Sequence, residues 1–149
     1  MIEALALLLV MVKRFEGLRL VAYQDIVGVW TIGYGETLGV RAGMVWTKQQ
    51  AEDRLKERLA EYMLAVLKRC PQLHLEPPCM LAACTSLAYN IGTGAFGASS
   101  VCRLTKWREF MRAAASFLLW NKAKGKVIHG LALRRAAERL TYIQGVALT

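Results

Sequence analysis

The spacing of hydrophobic residues over the first sixteen positions predicts an α-helix. Apolar side chains recur there at intervals of three and four, which places them on one face of a helix. They are Leu5, Leu8, Leu9, Val12 and Phe15. Gly17 follows at once, and glycine often ends a helix because it readily takes a left-handed backbone conformation. We therefore expect a helix from Ile2 to about Glu16.

The stretch from Leu18 to Leu38 has a different pattern. Six of the eight residues in Val27–Tyr34 are types favoured in strands, and glycines stand at positions 28, 33 and 35. This combination predicts short antiparallel strands joined by tight turns.

Helical spacing returns at Thr47 and continues to about Arg69. Thr47 and Gln50 form a capping-box pair, in which each side chain satisfies a free backbone N–H of the other. Pro71 ends this helix, because proline cannot continue a helical hydrogen-bond pattern. The predicted apolar stripe comprises Ala51, Leu55, Leu59, Tyr62 or Met63, and Val66.

The second half of the chain reads as a cluster of helices. Pro77–Pro78 suit a first helical turn, and Cys79–Ile91 contains no charge, which predicts a central buried helix. Gly92, Gly94 and Gly97 then break the chain. Three further helices are predicted over Ser99–Thr105, Trp107–Lys122 and Leu131–Ile143, with Gly125 and Gly130 bracketing the last turn.

These elements predict a mainly helical α+β fold within a single domain, residues 1–149. We expect a small β-hairpin lobe over about 13–46, a connecting helix over about 47–69, and a larger helical lobe over about 77–149 that includes the N-terminal helix. A cleft between two such lobes is a usual place for a polymer substrate. With 55% hydrophobic and 21% charged residues, the chain has material for a core, which excludes general disorder.

Positive charge is concentrated at the C-terminal end. Of the formal net charge of +9, residues 101–149 supply ten Lys and Arg against only Glu109 and Glu138. Such a surface favours an anionic partner, whether nucleic acid, a membrane surface or a wall polymer, although solubility alone also explains it.

Neither a membrane span nor a metal is predicted. The apolar run Ala4–Val12 has nine residues, whereas a spanning helix needs about 20, and Glu3 rather than a basic residue precedes it, unlike an export signal. The spacing of Cys70, His74, Cys79 and Cys84 matches no common zinc site. We expect the cysteines, Cys102 included, to be ordinary reduced thiols.

Three polar residues near the predicted hairpin are candidates for catalysis. Glu16 and Asp25 have eight residues between them, and Asp25 and Thr31 have five. Taken alone, two carboxylates at such a spacing are common and more often form a solvated surface pair than a catalytic one.

The surrounding sequence resembles the phage-type lysozymes, endolysins that cut bacterial peptidoglycan. Their motif places a Glu, an Asp and a Thr at this spacing within R-F-E-G…A-Y-x-D-x-x-G-x-x-T-I-G-Y-G. Every landmark is present between Arg14 and Gly35. The resemblance continues in Leu87–Phe96, in Phe117–Lys126 and in Gly130–Arg139, so it covers nearly the whole chain in order.

This resemblance implies hydrolysis of the β-1,4 bond between N-acetylmuramic acid and N-acetylglucosamine, without a cofactor. Glu16 would be the general acid, kept partly protonated by apolar neighbours such as Phe15. Asp25 and Thr31 would hold the attacking water. An inverting enzyme needs its two carboxyl groups about 6.5–9.5 Å apart, and a role for Asp25 as covalent nucleophile stays open.

Other residues acquire expectations from the same resemblance. Arg134 or Arg135 would pair with Glu16, unless both face solvent. Tyr34, Thr37 and Asn90 are candidates for lining the cleft, although structural roles suit them as well. Glu36 stands where the family commonly has histidine; it would raise the pKa of nearby carboxyl groups or point into solvent.

The expected partner is bacterial peptidoglycan, with no specific nucleic acid and with weak contact to anionic membranes as an option. The resemblance implies a monomer that accumulates in the host cytoplasm, leaves through a holin-type pore and acts on the wall in the periplasm. The alternatives are a membrane-active protein with a basic amphipathic helix over Trp107–Lys126, a nucleic-acid-binding module, and a lytic transglycosylase.

Overall fold

The computed structural model describes all 149 residues and confirms the mainly helical α+β class. Two 3₁₀ turns, Pro71–His74 and Phe117–Leu119, join longer elements. In chain order the elements are α1 (Ile2–Phe15), β1 (Arg19–Gln24), β2 (Trp30–Gly33), α2 (Lys48–Arg69), α3 (Pro78–Ile91), α4 (Thr93–Ala98), α5 (Ser100–Lys106), α6 (Phe110–Ser116), β3 (Lys122–Ala123), β4 (Lys126–Val127) and α7 (His129–Val146).

The uncharged helix α3 forms the centre of the core, as its composition predicts. Nine consecutive residues, Met80–Ala88, are buried, and the helix packs against α1, α2 and α7. A helix that is apolar on all sides is stable only when neighbours surround it, so α3 holds the helical body together.

The ends of the first two long helices differ in how well the sequence predicts them. At α2 the capping box is present, with Gln50 N donating to Thr47 Oγ1 at 3.1 Å and Thr47 N to Gln50 Oε1 at 2.8 Å. At α1 the prediction that Gly17 takes a left-handed conformation is wrong, because Gly17 does not have a positive φ. Glu16 itself is already extended, with φ −92° and ψ 118°, so the chain leaves the helix at Glu16.

Strands β1 and β2 form the antiparallel hairpin that carries two of the candidate residues. Tyr23 pairs with Thr31, and Gln24 with Trp30. Val27 and Val29, predicted as strand residues, lie outside both strands in the connection. The far side of β1 is paired as well, since Trp46 N donates to Leu20 O at 2.8 Å.

The single helix predicted over Trp107–Lys122 is wrong. Arg108 takes a left-handed conformation with φ 59°, so α6 begins only at Phe110 and ends at Ser116. Lys122–Ala123 then pairs with Lys126–Val127 across a turn in which Lys124 and Gly125 both have positive φ. The prediction of a break in the chain between Gly92 and Gly97 is also wrong, because helix α4 forms there.

The left-handed conformation of Arg108 interrupts the segment on which the membrane-active alternative depends. Trp107–Lys126 contains a short helix, a 3₁₀ turn and a hairpin rather than one amphipathic helix. No helix in the structure combines the length and apolarity that crossing a membrane requires.

Substitution of two glycines of α7 is expected to change the stability in opposite directions. A Cβ at Gly145 would clash with Met80 Cγ and lie 2.9 Å from Cys79 Sγ, whereas one at Gly130 meets nothing within 4 Å. We expect Gly145→Ala to lower the free energy of unfolding by about 1–3 kcal/mol through overpacking. Gly130→Ala is expected to raise it by up to about 1 kcal/mol, because alanine favours helix. Urea titration of both variants measures this, and equal effects would contradict the close packing of α7 on α3.

Candidate active site

The three candidate catalytic residues line one cleft of about 430 Å³. The cleft lies where the end of α1, the β1–β2 hairpin, the following turn, α2 and the end of α3 meet. Its lining residues are Glu16, Tyr23, Asp25, Thr31, Gly35, Glu36, Thr37, Arg58, Tyr62, Tyr89 and Asn90. Glu16, Asp25 and Thr31 therefore face the same space, although they come from three separate elements.

Glu16 is held from two sides at the mouth of this cleft. Its side chain is 24% exposed, and its Oε1 accepts a hydrogen bond from Arg134 Nη1 at 2.8 Å. A Cβ at Gly35 would lie 3.1 Å from Glu16 Oε2, and Gly35 has φ 84°. Only glycine suits this position, because a side chain would be strained by the backbone and crowded by the carboxylate.

Arg134 reaches Glu16 from a buried network on α7 and α3. Its Nε donates to Glu138 Oε1 at 3.1 Å and its Nη2 to Ser86 O at 3.2 Å. Arg135 lies beyond Glu138, to which its Nη2 donates at 3.0 Å, and it does not contact Glu16. Both arginines are buried, so neither faces solvent. Burial raises the pKa of Glu138, while the two arginines oppose that rise.

Asp25 begins the turn between the hairpin strands, and the backbone fixes one of its oxygens. Oδ1 accepts the N–H groups of Val27 and Val29, both at 2.9 Å. Thr31 Oγ1 donates to Val29 O at 3.0 Å, so the same residue orients both side chains. Asp25 Oδ2 and the lone pairs of the Thr31 hydroxyl are left available for a further ligand.

One of the two expectations for Glu36 is wrong. It is only 6% exposed, so it does not point into solvent. Its Oε2 lies 2.8 Å from Arg54 Nε and 3.2 Å from Arg58 Nε. Two cations thus offset its charge beside the cleft.

Two of the three other residues predicted to line the cleft do so, and the third does not. Thr37 and Asn90 line it. Tyr34 does not, since its side chain is buried in the core, and only its carbonyl faces this side, accepting a hydrogen bond from Tyr89 Oη at 2.8 Å. Burial and the nearby charge of Glu16 raise the pKa of Tyr89.

Several lining residues were absent from the predicted site. Tyr23 lies two residues before Asp25 and Tyr89 lies one before Asn90. Both fall within the sequence motifs given above, so their positions in those motifs could have indicated them. Arg58 and Tyr62 are one helical turn apart on α2, and that i,i+4 spacing puts them on one face. The helical pattern allows either Tyr62 or Met63 in the apolar stripe, and Met63 is the one that is buried.

The structure offers no other cluster with comparable chemistry. The four cysteines are free thiols, and no group of three or more His, Cys, Asp or Glu side chains is placed to hold a metal ion. A larger groove of about 680 Å³ between α1 and α7 is mostly apolar, and Arg14 is its one charged lining residue.

Comparison of the sequence with known proteins gives a consistent result. The model of the Phage lysozyme family matches residues 13–138. The chain is 41% identical over 138 residues to an endolysin of Acyrthosiphon pisum secondary endosymbiont phage 1, covering 90% of this chain and 93% of that protein. It is 33% identical over 126 residues to a SAR-endolysin of Enterobacteria phage P21, covering 83% and 74%. It spans about half the length of two matching Bacillus phage endolysins.

Solved structures agree with the sequence comparison. The muramidase domain of SpmX from Asticaccaulis excentricus superposes with a TM-score of 0.81 at 32% identity, covering 91% of this chain and 94% of that one. An endolysin from Escherichia coli O157:H7 phage FAHEc1 gives 0.81 at 33% identity, covering 92% and 90%.

The fold and the acidic cleft, with these similarities, define a glycoside hydrolase of the lysozyme, or muramidase, class. Its substrate is bacterial peptidoglycan, and it is an endolysin. The chain belongs to the phage lysozyme family.

Proposed function

We propose that the chain, as a single catalytic domain, hydrolyses the β-1,4 bond between N-acetylmuramic acid and N-acetylglucosamine with inversion. Glu16 donates a proton to the glycosidic oxygen, while Asp25 and Thr31 hold the water that attacks the sugar. The observation that carries this proposal is the convergence of these three side chains on one cleft. A bond placed between a proton donor and a positioned water is the arrangement that inverting hydrolysis needs.

The surroundings of Asp25 support its role with water. Both N–H bonds fall on Oδ1, so the carboxylate is fixed in orientation while Oδ2 keeps its acceptor capacity. The Thr31 hydroxyl donates to Val29 O and can accept a hydrogen bond from the same water. A general base of this kind removes a proton from water as the glycosidic bond breaks.

Arg134 suits a role in orienting Glu16. A cation beside a carboxyl group favours its ionised form, which opposes proton donation. Here Arg134 also hydrogen-bonds Glu138, so its charge is shared between two carboxyl groups. Its contact with Glu16 fixes the direction of Oε1, while Oε2 lies against Gly35.

The configuration of the product tests the mechanism. We expect digestion of purified glycan strands to release reducing muramic acid ends that are first in the α configuration, visible by proton NMR before mutarotation. Initial β ends would overturn inversion and assign Asp25 as a covalent nucleophile. Ends in the 1,6-anhydro form, detected by mass spectrometry, would indicate a lytic transglycosylase instead.

The setting of this activity is part of the proposal. The basic residues of 101–149 suit an anionic wall polymer, which they would attract most strongly at low salt. We propose that the protein acts as a monomer on the wall in the periplasm after leaving the host cytoplasm through a holin-type pore. The relatives named SAR-endolysin suggest release without a holin as the competing route.

A further inference from the structure

Glu36 is a buried carboxylate at the cleft to which the proposed mechanism gives no role. Its Oε1 accepts the backbone N–H groups of Thr37 at 3.0 Å and Leu38 at 2.9 Å. Its Oε2 lies within 3.2 Å of the Nε atoms of Arg54 and Arg58 on α2. Three hydrogen bonds and one further ion pair satisfy both oxygens, which is an unusually complete set of partners for a residue beside a cleft.

The segment that Glu36 fastens is the turn in contact with Glu16. Ile32 and Glu36 exchange two backbone hydrogen bonds, both 2.9 Å long. Gly35, within this closed turn, is the residue that lies against Glu16 Oε2. Thr37 follows directly and lines the cleft. The ion pairs of Glu36 therefore connect the backbone around Glu16 to helix α2.

From this arrangement we infer that Glu36 is a positioning residue, which anchors the turn 32–38 to α2 and balances the charge of Arg54 and Arg58 near Glu16. The inference rests on the proposed function, because it takes Glu16 as the proton donor. It concerns how the donor is placed and which charges it experiences, not a direct contact with the substrate.

The charge balance has a definite sign. The other partners of the two arginines, Glu57 and Glu61, have side chains that are 63% and 56% exposed, so solvent weakens those pairs. Glu36 is thus the buried counter-charge for both cations. Loss of its charge leaves the cleft more positive, and a more positive cleft favours the ionised form of Glu16, which cannot donate a proton.

The groups that face these two carboxyl groups come from every neighbouring element. Glu16 faces Arg134 from α7, Tyr89 from α3, and Arg58 and Tyr62 from α2, as well as Tyr23 and Asp25 from the hairpin. Glu36 faces Arg54, Arg58 and Tyr89. The two variants below change the local formal charge at Glu36 and Arg54 alone.

The test compares pH profiles of kcat/KM on soluble glycan fragments for Glu36→Gln and Arg54→Gln. Glutamine keeps the shape of Glu36 and a carbonyl oxygen for the Thr37 and Leu38 N–H groups. We expect Glu36→Gln to move the alkaline limb to lower pH by about half a unit. Arg54→Gln removes a cation instead and is expected to move that limb to higher pH. Glu57→Gln, at an exposed partner of Arg54, serves as the matched control and is expected to follow the wild-type profile.

The outcomes are distinguishable from failure of the proposed function. A purely structural role for Glu36 would lower the profile without moving its limb, and that result would overturn the inference, as would shifts of the same sign in Glu36→Gln and Arg54→Gln. If Glu36→Gln fails to fold, the sign of the Arg54→Gln shift still decides. Glu16→Gln is assayed in parallel, because retained activity there would reject the proposed mechanism itself.

Discussion

Glu16→Gln is expected to leave a folded protein with almost no hydrolytic activity. The amide keeps an oxygen for the hydrogen bond from Arg134 Nη1, but its N–H protons are not acidic enough to be given to the departing sugar oxygen. Loss of a general acid typically lowers the rate by about 10²–10⁴-fold or more. The measurement is the rate of turbidity loss in Gram-negative cells with permeabilised outer membranes.

Glu3→Gln supplies the control for this experiment. Glu3 lies on the same helix as Glu16, in the first turn of α1, and is exposed, so its variant has the same change in charge away from the cleft. We expect it to lyse cells at the wild-type rate. Comparable lysis by Glu16→Gln would support membrane disruption and reject general acid catalysis by this residue.

Glu138→Ala is expected to cause the largest loss of stability among single substitutions at the site. Glu138 is fully buried and accepts hydrogen bonds from Ser86 Oγ at 2.7 Å and from both Arg134 and Arg135. Its removal leaves two buried guanidinium groups without that counter-charge. Breaking a buried pair in this way costs about 3–5 kcal/mol, which for a chain of this size corresponds to a fall in Tm on the order of 10 °C.

Glu109→Ala is the control, because Glu109 is an exposed carboxylate at the start of α6 that makes no capping hydrogen bond. Its Tm is expected to stay close to that of the wild type, since surface substitutions usually change stability by less than about 0.5 kcal/mol. Thermal unfolding followed by circular dichroism compares the two variants. A Glu138→Ala protein as stable as Glu109→Ala would mean that the buried network adds nothing to folding.

Local chemistry made much of the fold predictable. The capping box of Thr47 and Gln50 and the uncharged segment of α3 each depend on residues close in sequence, and both are as expected. The predicted helix over Trp107–Lys122 is wrong because Arg108 takes a left-handed conformation near its start and Lys122 begins a strand at its end. Arginine and lysine are good helix formers, so their side chains give no sign of such a break, and tertiary packing decides it.

The site was predictable in part for a similar reason. The motif located Glu16, Asp25 and Thr31 because their spacing is a property of the sequence. It could not choose between Arg134 and Arg135, since adjacent residues on a helix point about 100° apart and only packing shows which one faces Glu16. The ion pairs of Glu36 with Arg54 and Arg58 cross 18 and 22 positions, and no local pattern links residues so far apart.

The end of α1 has a consequence for how this protein loses function. Glu16 terminates a helix that packs on α3, whereas Asp25 belongs to a two-stranded hairpin in which most residues of β1 are exposed. Partial loosening of that hairpin would separate the proton donor from the water-holding carboxylate while the helices remain intact. On gradual heating, hydrolysis should therefore fade before the helical signal does.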